Sequence, residues 1–201
     1  MMNDLVVNLF NLEKSLGATC LKLLINPAMV VRNYQNGFRS YYPSPGKVLF
    51  VALSVAGLHL AFVNHFLLGL TLQEEHKSSQ IAFFLFFIPL LATISKLAFL
   101  KKVPGYLIHW ISTIYLSSAY LILLTILDDL MQWLFHWDAG PLVGVVFLFL
   151  FIIGDARVHA HGNRKSIFIH ILLEILVLLA AIVLILLLNF WSNPESVHLP
   201  M

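Results

Sequence analysis

The chain has 201 residues, of which 60% are hydrophobic and 11% charged, with mean hydropathy +0.88; soluble domains average about 25% charged residues, so an ordinary soluble globule is excluded. A formal charge of +2 without a dense Lys/Arg run also excludes a phosphate-tracking nucleic-acid groove. The single cysteine, Cys20, excludes an intrachain disulfide, a CxxC zinc site and an iron-sulfur cluster held by one chain, and reads as a small apolar residue on a helix face.

Taken in order, residues 1–26 do not read as a signal peptide. Asn3, Asp4, Asn8, Asn11 and Glu13 interrupt any apolar run, and no basic residue precedes Lys14, so a retained N-terminus is expected. Asp4, Asn8, Asn11, Ser15, Thr19, Lys22 and Asn26 recur every three or four positions, which predicts an amphipathic helix with one narrow polar stripe. Its wide apolar face is expected to pack on a membrane-spanning bundle. Asn26-Pro27 is a helix start signal and Asn36-Gly37 a stop signal, predicting a short helix over 27–36; Ser44-Pro45 starts the next.

Five segments are long and apolar enough to cross about 30 Å of hydrocarbon, which takes roughly 20 helical residues. They cover residues 47–70, 80–100, 104–130, 141–158 and 166–190. Pro89 is expected to kink the second, and Gly140 with Gly144 to permit close approach of the fourth. The fold class is therefore all-α: a polytopic membrane protein with five transmembrane helices. Residues 1–46 supply amphipathic and juxtamembrane helices and residues 47–201 the spans, within one domain.

Eleven of the 12 Lys and Arg residues fall on one side of these spans, with Lys77 alone opposite. The positive-inside rule then places the N-terminus in the cytoplasm and the C-terminus outside. Trp133, Trp137 and Trp191 on the outer side read as an aromatic belt, beside the acidic Glu74, Glu75, Asp128, Asp129, Asp138 and Glu195.

Thr19, Pro27, Tyr34, Gly37, Arg39, Tyr42 and Pro45 follow the pattern T-x7-P-x6-Y-x2-G-x-R-x2-Y-x2-P. In this the chain resembles an uncharacterised bacterial multispanning membrane family, a domain of unknown function, many of whose members begin with a four-cysteine zinc ribbon absent here. The resemblance implies a multi-pass protein of the bacterial inner membrane and assigns no activity. The layout is also similar to Yip1-type membrane proteins, an analogy of fold alone. Read physically, Pro27, Gly37 and Pro45 punctuate the backbone, while Arg39 and Tyr42 stand at headgroup level, forming a collar that sets the entry angle of the first span.

The unusual chemistry gathers in residues 155–174. Asp155 and His159 are spaced i,i+4 at the end of the fourth span, and His170 and Glu174 likewise in the fifth, so each pair shares a helix face. His109 lies at the same end of the third span. Four readings stand open for this intramembrane polar cluster. It is a hydrogen-bond network joining helices, a proton or solute pathway, part of a lipid- or anion-binding face with Arg39, Tyr42, Arg157, Arg164 and Lys165, or a metal centre with His159, His170 and Glu174 as ligands. The HxxxH and HxxHH boxes of membrane hydroxylases and desaturases are absent, as are P-loop, GxGxxG and HExxH motifs, so no catalytic residue is assigned. His59 near the middle of the first span finds no second histidine at matching depth, which argues against haem; no cofactor is expected. Ser112, Thr113, Ser117 and Ser118 give the third span a polar stripe of the kind that glues helices together.

The leading expectation is a membrane scaffold or interaction subunit whose basic cytoplasmic face engages anionic lipid, a partner protein or further copies of itself, with no role for nucleic acid. A small transporter or channel using the Glu/His/Asp cluster is the alternative, and a metal-dependent enzyme acting on lipid the third.

Overall fold

The computed structural model describes residues 16–62, 67, 77–100, 103, 105–136, 140–160 and 164–192, and everything regular among them is helical. The first helix, α1, occupies Leu16–Ile25. The others are α2 (Pro27–Gln35), α3 (Pro45–Phe62), α4 (Lys77–Ala98), α5 (Tyr106–Phe135), α6 (Gly140–His159) and α7 (Arg164–Ser192). Helices α3 to α7 are each long and apolar enough to cross a membrane. The expected five spans are thus present, though the third runs five residues further than its apolar stretch alone predicts. The N-terminal part of the amphipathic stripe, Trp137 and the acidic Glu74, Glu75, Asp138 and Glu195 lie outside the described residues.

Helix α2 forms where its punctuation predicts. The Asn26 side chain accepts from the Met29 N–H at 3.3 Å, and Pro27 occupies the first turn, where no backbone donor is lost. At the other end Gly37 adopts φ +98°, the Phe38 N–H donates to Asn33 O at 3.0 Å and the Gly37 N–H to Tyr34 O at 3.3 Å. These two bonds form a Schellman stop, which strains any side chain at Gly37. Pro89 does not end α4, which continues to Ala98.

Helix α5 is the axis of the bundle: 61% of its apolar window is buried, against 11% for α7. It packs against α2, α3, α4 and α6. On α3 the buried Val48, Ala52, Ala56 and Leu60 are spaced by four, so small side chains form one stripe and the helices approach closely. On α6 the buried Phe147, Phe151 and Asp155 form a comparable stripe, with Phe147 meeting Phe84 of α4 edge to face at 5.9 Å. Helices α6 and α5 come close at Gly154, where an added Cβ would run into the Tyr120 hydroxyl and lie 3.1 Å from Leu116 Cδ2. The outer face of α7 exposes Phe168, Leu172, Leu176, Leu179 and Val183, the surface that hydrocarbon would cover.

The seven motif residues turn out to be structural fasteners. Tyr34 meets Tyr115 of α5 edge to face at 5.4 Å, and the Tyr115 hydroxyl donates to Pro43 O at 2.6 Å. Arg39 lies over the Tyr34 ring at 5.8 Å, Thr19 and Pro27 are buried, and Pro45 opens α3. Burial pushes the Cys20 thiol up from its usual value, in keeping with an unreactive apolar role.

One fastener is outside the motif. The Arg32 Nη2 donates to Val158 O at 3.0 Å, placing a cation on one of the last carbonyls of α6, where the helix dipole favours it. Hydrogen bonds to charged groups contribute about 1.5–3 kcal/mol, so Arg32→Met is expected to lower stability by about that much in a thermal melt of the detergent-solubilised protein. Arg32→Lys recovers only part of the loss, because a point charge does not reproduce the planar fork.

Candidate functional site

The polar residues of α5, α6 and α7 converge at the bundle end nearest α2. His109 comes from the first turn of α5, Asp155 and His159 from the last turns of α6, and Glu174 and His170 from α7; all five are buried. Helix α4 adds Ser95, also buried, and Phe99 follows directly after its end. The convergence follows from i,i+4 spacing on α6 and α7 and from the contact of both α6 and α4 with α7.

Their hydrogen bonds form a chain. One His109 nitrogen, Nδ1, lies 2.6 Å from Ser95 Oγ, and the other, Nε2, 3.3 Å from Val103 O. Asp155 Oδ1 lies 3.3 Å from His159 Nε2; the single Ser112 hydroxyl hydrogen can go to His109 O at 2.9 Å or to Asp155 Oδ1 at 3.3 Å, and Ser112 Oγ is 3.1 Å from His159 Nε2. Because a carboxylate accepts, the His159 Nε2 carries a hydrogen shared between Asp155 and Ser112. Because the Val103 carbonyl can only accept, neutral His109 carries its hydrogen on Nε2, and its Nδ1 accepts from the Ser95 hydroxyl.

Glu174 is the exception in this satisfied network. Neither of its oxygens has a donor partner among the described residues, and one Asp155 oxygen is likewise without one. The charged group near Glu174 is the Asp155 carboxyl, across the α6–α7 interface. Two neighbouring buried carboxylates repel one another, so a proton on one of them relieves the contact.

Phe99 organises the histidines, a role that sequence spacing does not reveal. His170 stacks on it at 4.4 Å with planes 10° apart, and His159 lies at 5.0 Å; His109 and His159 are themselves 4.5 Å apart. His170 donates Nδ1–H to Ser166 O at 2.5 Å, so that nitrogen is directed along its own helix.

Metal binding can be weighed on the same atoms. His109, Asp155 and His159 offer ligating atoms within 4.8 Å of one another, a set of the type that zinc, manganese and iron accept. Of the sequence candidates His159, His170 and Glu174, only His159 belongs to it. Both His109 nitrogens already have protein partners, so the arrangement is a hydrogen-bonded chain, and a metal would have to displace Ser95 or Val103 from the ring.

The lipid- and anion-binding candidates are distributed differently. Arg39, Arg157, Arg164 and Lys165 are exposed, with Arg157 at the end of α6 and the last two opening α7. Tyr42 is buried and lines a cleft with Lys22 and Asn33, neither of which the collar motif includes.

A second polar cluster occupies the other end of the bundle. His59 Nδ1 on α3 lies 2.5 Å from Asp129 Oδ1, and His59 Nε2 3.9 Å from Asp128 Oδ2. His59 and Asp128 are buried. The histidine read as a lone midspan residue and the aspartates read as an outer edge are therefore one constellation.

No protein-family model, curated protein or solved structure matches this chain. The fold and site alone define its class: an all-helical, multi-pass membrane protein with a buried His/carboxyl cluster between its helices.

Proposed function

We propose that this chain is a small membrane transporter or channel that conducts protons, in which Asp155, Glu174, His159 and His109 hold and pass the proton. The observation that carries the reading is the burial of Asp155 and Glu174 together with His159 and His109, the first of them joined to His159 through direct and serine-bridged contacts. Ionisable groups inside a bilayer are costly unless they work, and proton relays are built from Asp, Glu and His. The buried hydroxyls of Thr113, Ser117, Ser118 and Thr125 along α5, none with a partner among the described residues, support it. Unpaired buried hydroxyls are the places where water completes the bonding.

The scaffold and metal-enzyme readings rank lower on geometry. The exposed arginines supply a basic face without a converged site, and the His109 nitrogens are already occupied. By the Lys/Arg asymmetry we take the α2 side as cytoplasmic, and by the resemblance carried by Thr19 to Pro45 we take the membrane as a bacterial inner membrane.

Purified protein in liposomes, with a pH-sensitive dye inside and a potassium diffusion potential as driving force, tests the reading. The wild type is expected to acidify the lumen faster than empty liposomes, and Glu174→Gln to return the rate to that of empty liposomes. A wild-type rate equal to the empty control, or an unaltered rate in Glu174→Gln, would overturn it.

A further inference from the structure

Between α1, α2 and the turn that leads into α3 lies a cleft of about 280 Å³ lined by Lys22, Asn33, Phe38, Tyr41 and Tyr42. Its chemistry has one sign: the lining offers an ammonium, an amide and two phenols, and no carboxylate. The hydrogens are directed in a useful way. Asn33 Nδ2 donates to Tyr42 Oη at 3.4 Å, so that oxygen serves as acceptor and the Tyr42 O–H remains available to an acceptor in the cleft. Lys22 Nζ stands 5.8 Å from the centre of the Tyr42 ring, which holds the cation over the same opening.

Position along the chain fixes the depth of this cleft. Tyr42 precedes the start of the first span, Pro45–Phe62, by three residues, which is headgroup level. Around it Leu21, Ile25, Phe38 and Tyr41 are exposed, an apolar and aromatic rim suited to the acyl boundary. A volume of about 280 Å³ is at the low end of small-ligand sites and suits a headgroup, leaving acyl chains to run along the exposed rim.

From this we infer that the cleft binds the phosphodiester headgroup of an anionic glycerophospholipid, with Lys22 and Tyr42 as its recognition groups. Lys22 supplies the charge that selects a net anion over a zwitterionic headgroup, and Tyr42 with Tyr41 supplies hydroxyl donors to phosphate oxygens. The inference stands apart from the proton reading, since it shares no residue with the buried cluster. It gives the collar a second task beyond setting the entry angle of α3.

Native mass spectrometry of the delipidated full-length protein, titrated with short-chain phosphatidylglycerol and phosphatidylcholine, tests it. One phosphatidylglycerol is expected to be retained in preference to phosphatidylcholine by about fivefold, the discrimination one lysine provides near a membrane surface. Lys22→Gln should remove that preference and Tyr42→Phe should weaken retention of both lipids, while Lys47→Gln, which removes a charge outside the cleft, leaves the preference intact. Equal retention of the two lipids by the wild type, or an unaltered preference in Lys22→Gln, overturns the assignment. Displacement of the lipid by millimolar inorganic phosphate would also overturn it, by making the cleft a site for soluble anions.

Discussion

Asp155→Asn is expected to abolish proton flux in liposomes while leaving the protein folded, whereas Asp155→Ala is expected to unfold it. The contrast follows from what each substitution does to the partners of a fully buried group. Asparagine keeps an oxygen where His159 Nε2 and Ser112 Oγ now reach Asp155 Oδ1, each at 3.3 Å, so both retain an acceptor. The stability cost is about that of one weakened hydrogen bond, about 1 kcal/mol. What asparagine cannot do is take up and release a proton, as the proposed pathway requires of Asp155. Alanine leaves the buried Ser112 and His159 without the carboxylate they reach, and breaking a buried pair on one side costs about 3–5 kcal/mol. Thermal melts of the two variants beside the dye assay separate the roles. Flux retained in Asp155→Asn would make the carboxylate a strut for α5 and α6; a melt of Asp155→Ala close to wild type would show that the network carries little of the fold.

How much of this was legible in the sequence depends on the range of each interaction. Local signals read true: Asn26-Pro27 and Asn36-Gly37 bound α2 because capping bonds and the positive φ of Gly37 involve only near neighbours. The five spans read true because hydropathy over about 20 residues is a property of one segment. The cluster was legible in part, since i,i+4 spacing places Asp155 with His159 and Glu174 with His170 on their own helix faces. It could not show that Glu174 would meet Asp155 across the α6–α7 interface, or that His170 would stack on Phe99 while bonding Ser166 O. Those contacts depend on the rotation of one helix against another, which apolar runs this uniform do not encode. Ser95 and Phe99 were missed for the same reason, although their place near the end of α4, beside the turn into α5, is the signal that points to them.

The same limitation hid the far cluster. His59 and Asp129 are 70 positions apart, and only the Ala52/Ala56 stripe on α3, which turns His59 toward α5, hints that they meet. The collar differs again. Its spacing was plain, but Tyr34 and Tyr42 gain their meaning from Tyr115 and Lys22, which lie outside the motif.

His59→Gln carries the second large expected effect, on both stability and flux. His59 is buried against α5 and touches two carboxylates, Asp128, which is buried, and Asp129, whose side chain is one-third exposed. Exposed ion pairs couple by about 0.2–1 kcal/mol, while truncating one partner of a buried pair costs about 3–5 kcal/mol. The His59–Asp129 contact has one partner on each side of that divide. A double-mutant cycle of His59→Gln with Asp129→Asn is therefore expected to give a coupling of about 1–3 kcal/mol, and a value below about 0.5 kcal/mol would place the pair with ordinary surface contacts. The effect on flux follows from α5 itself. Asp128 lies about 28 Å beyond His109 at 1.5 Å per residue, close to the thickness of the hydrocarbon core, so the two clusters stand at opposite ends of one spanning helix. Between them the hydroxyls of Thr113, Ser117, Ser118 and Thr125 have no partners among the described residues and can be bridged by water. A path along α5 needs both ends, so His59→Gln should slow proton entry although its site is remote from Asp155 and Glu174. Flux that survives His59→Gln unaltered, in protein that still melts cooperatively, would move the path off α5 and leave the His59 cluster as a clamp between α3 and α5.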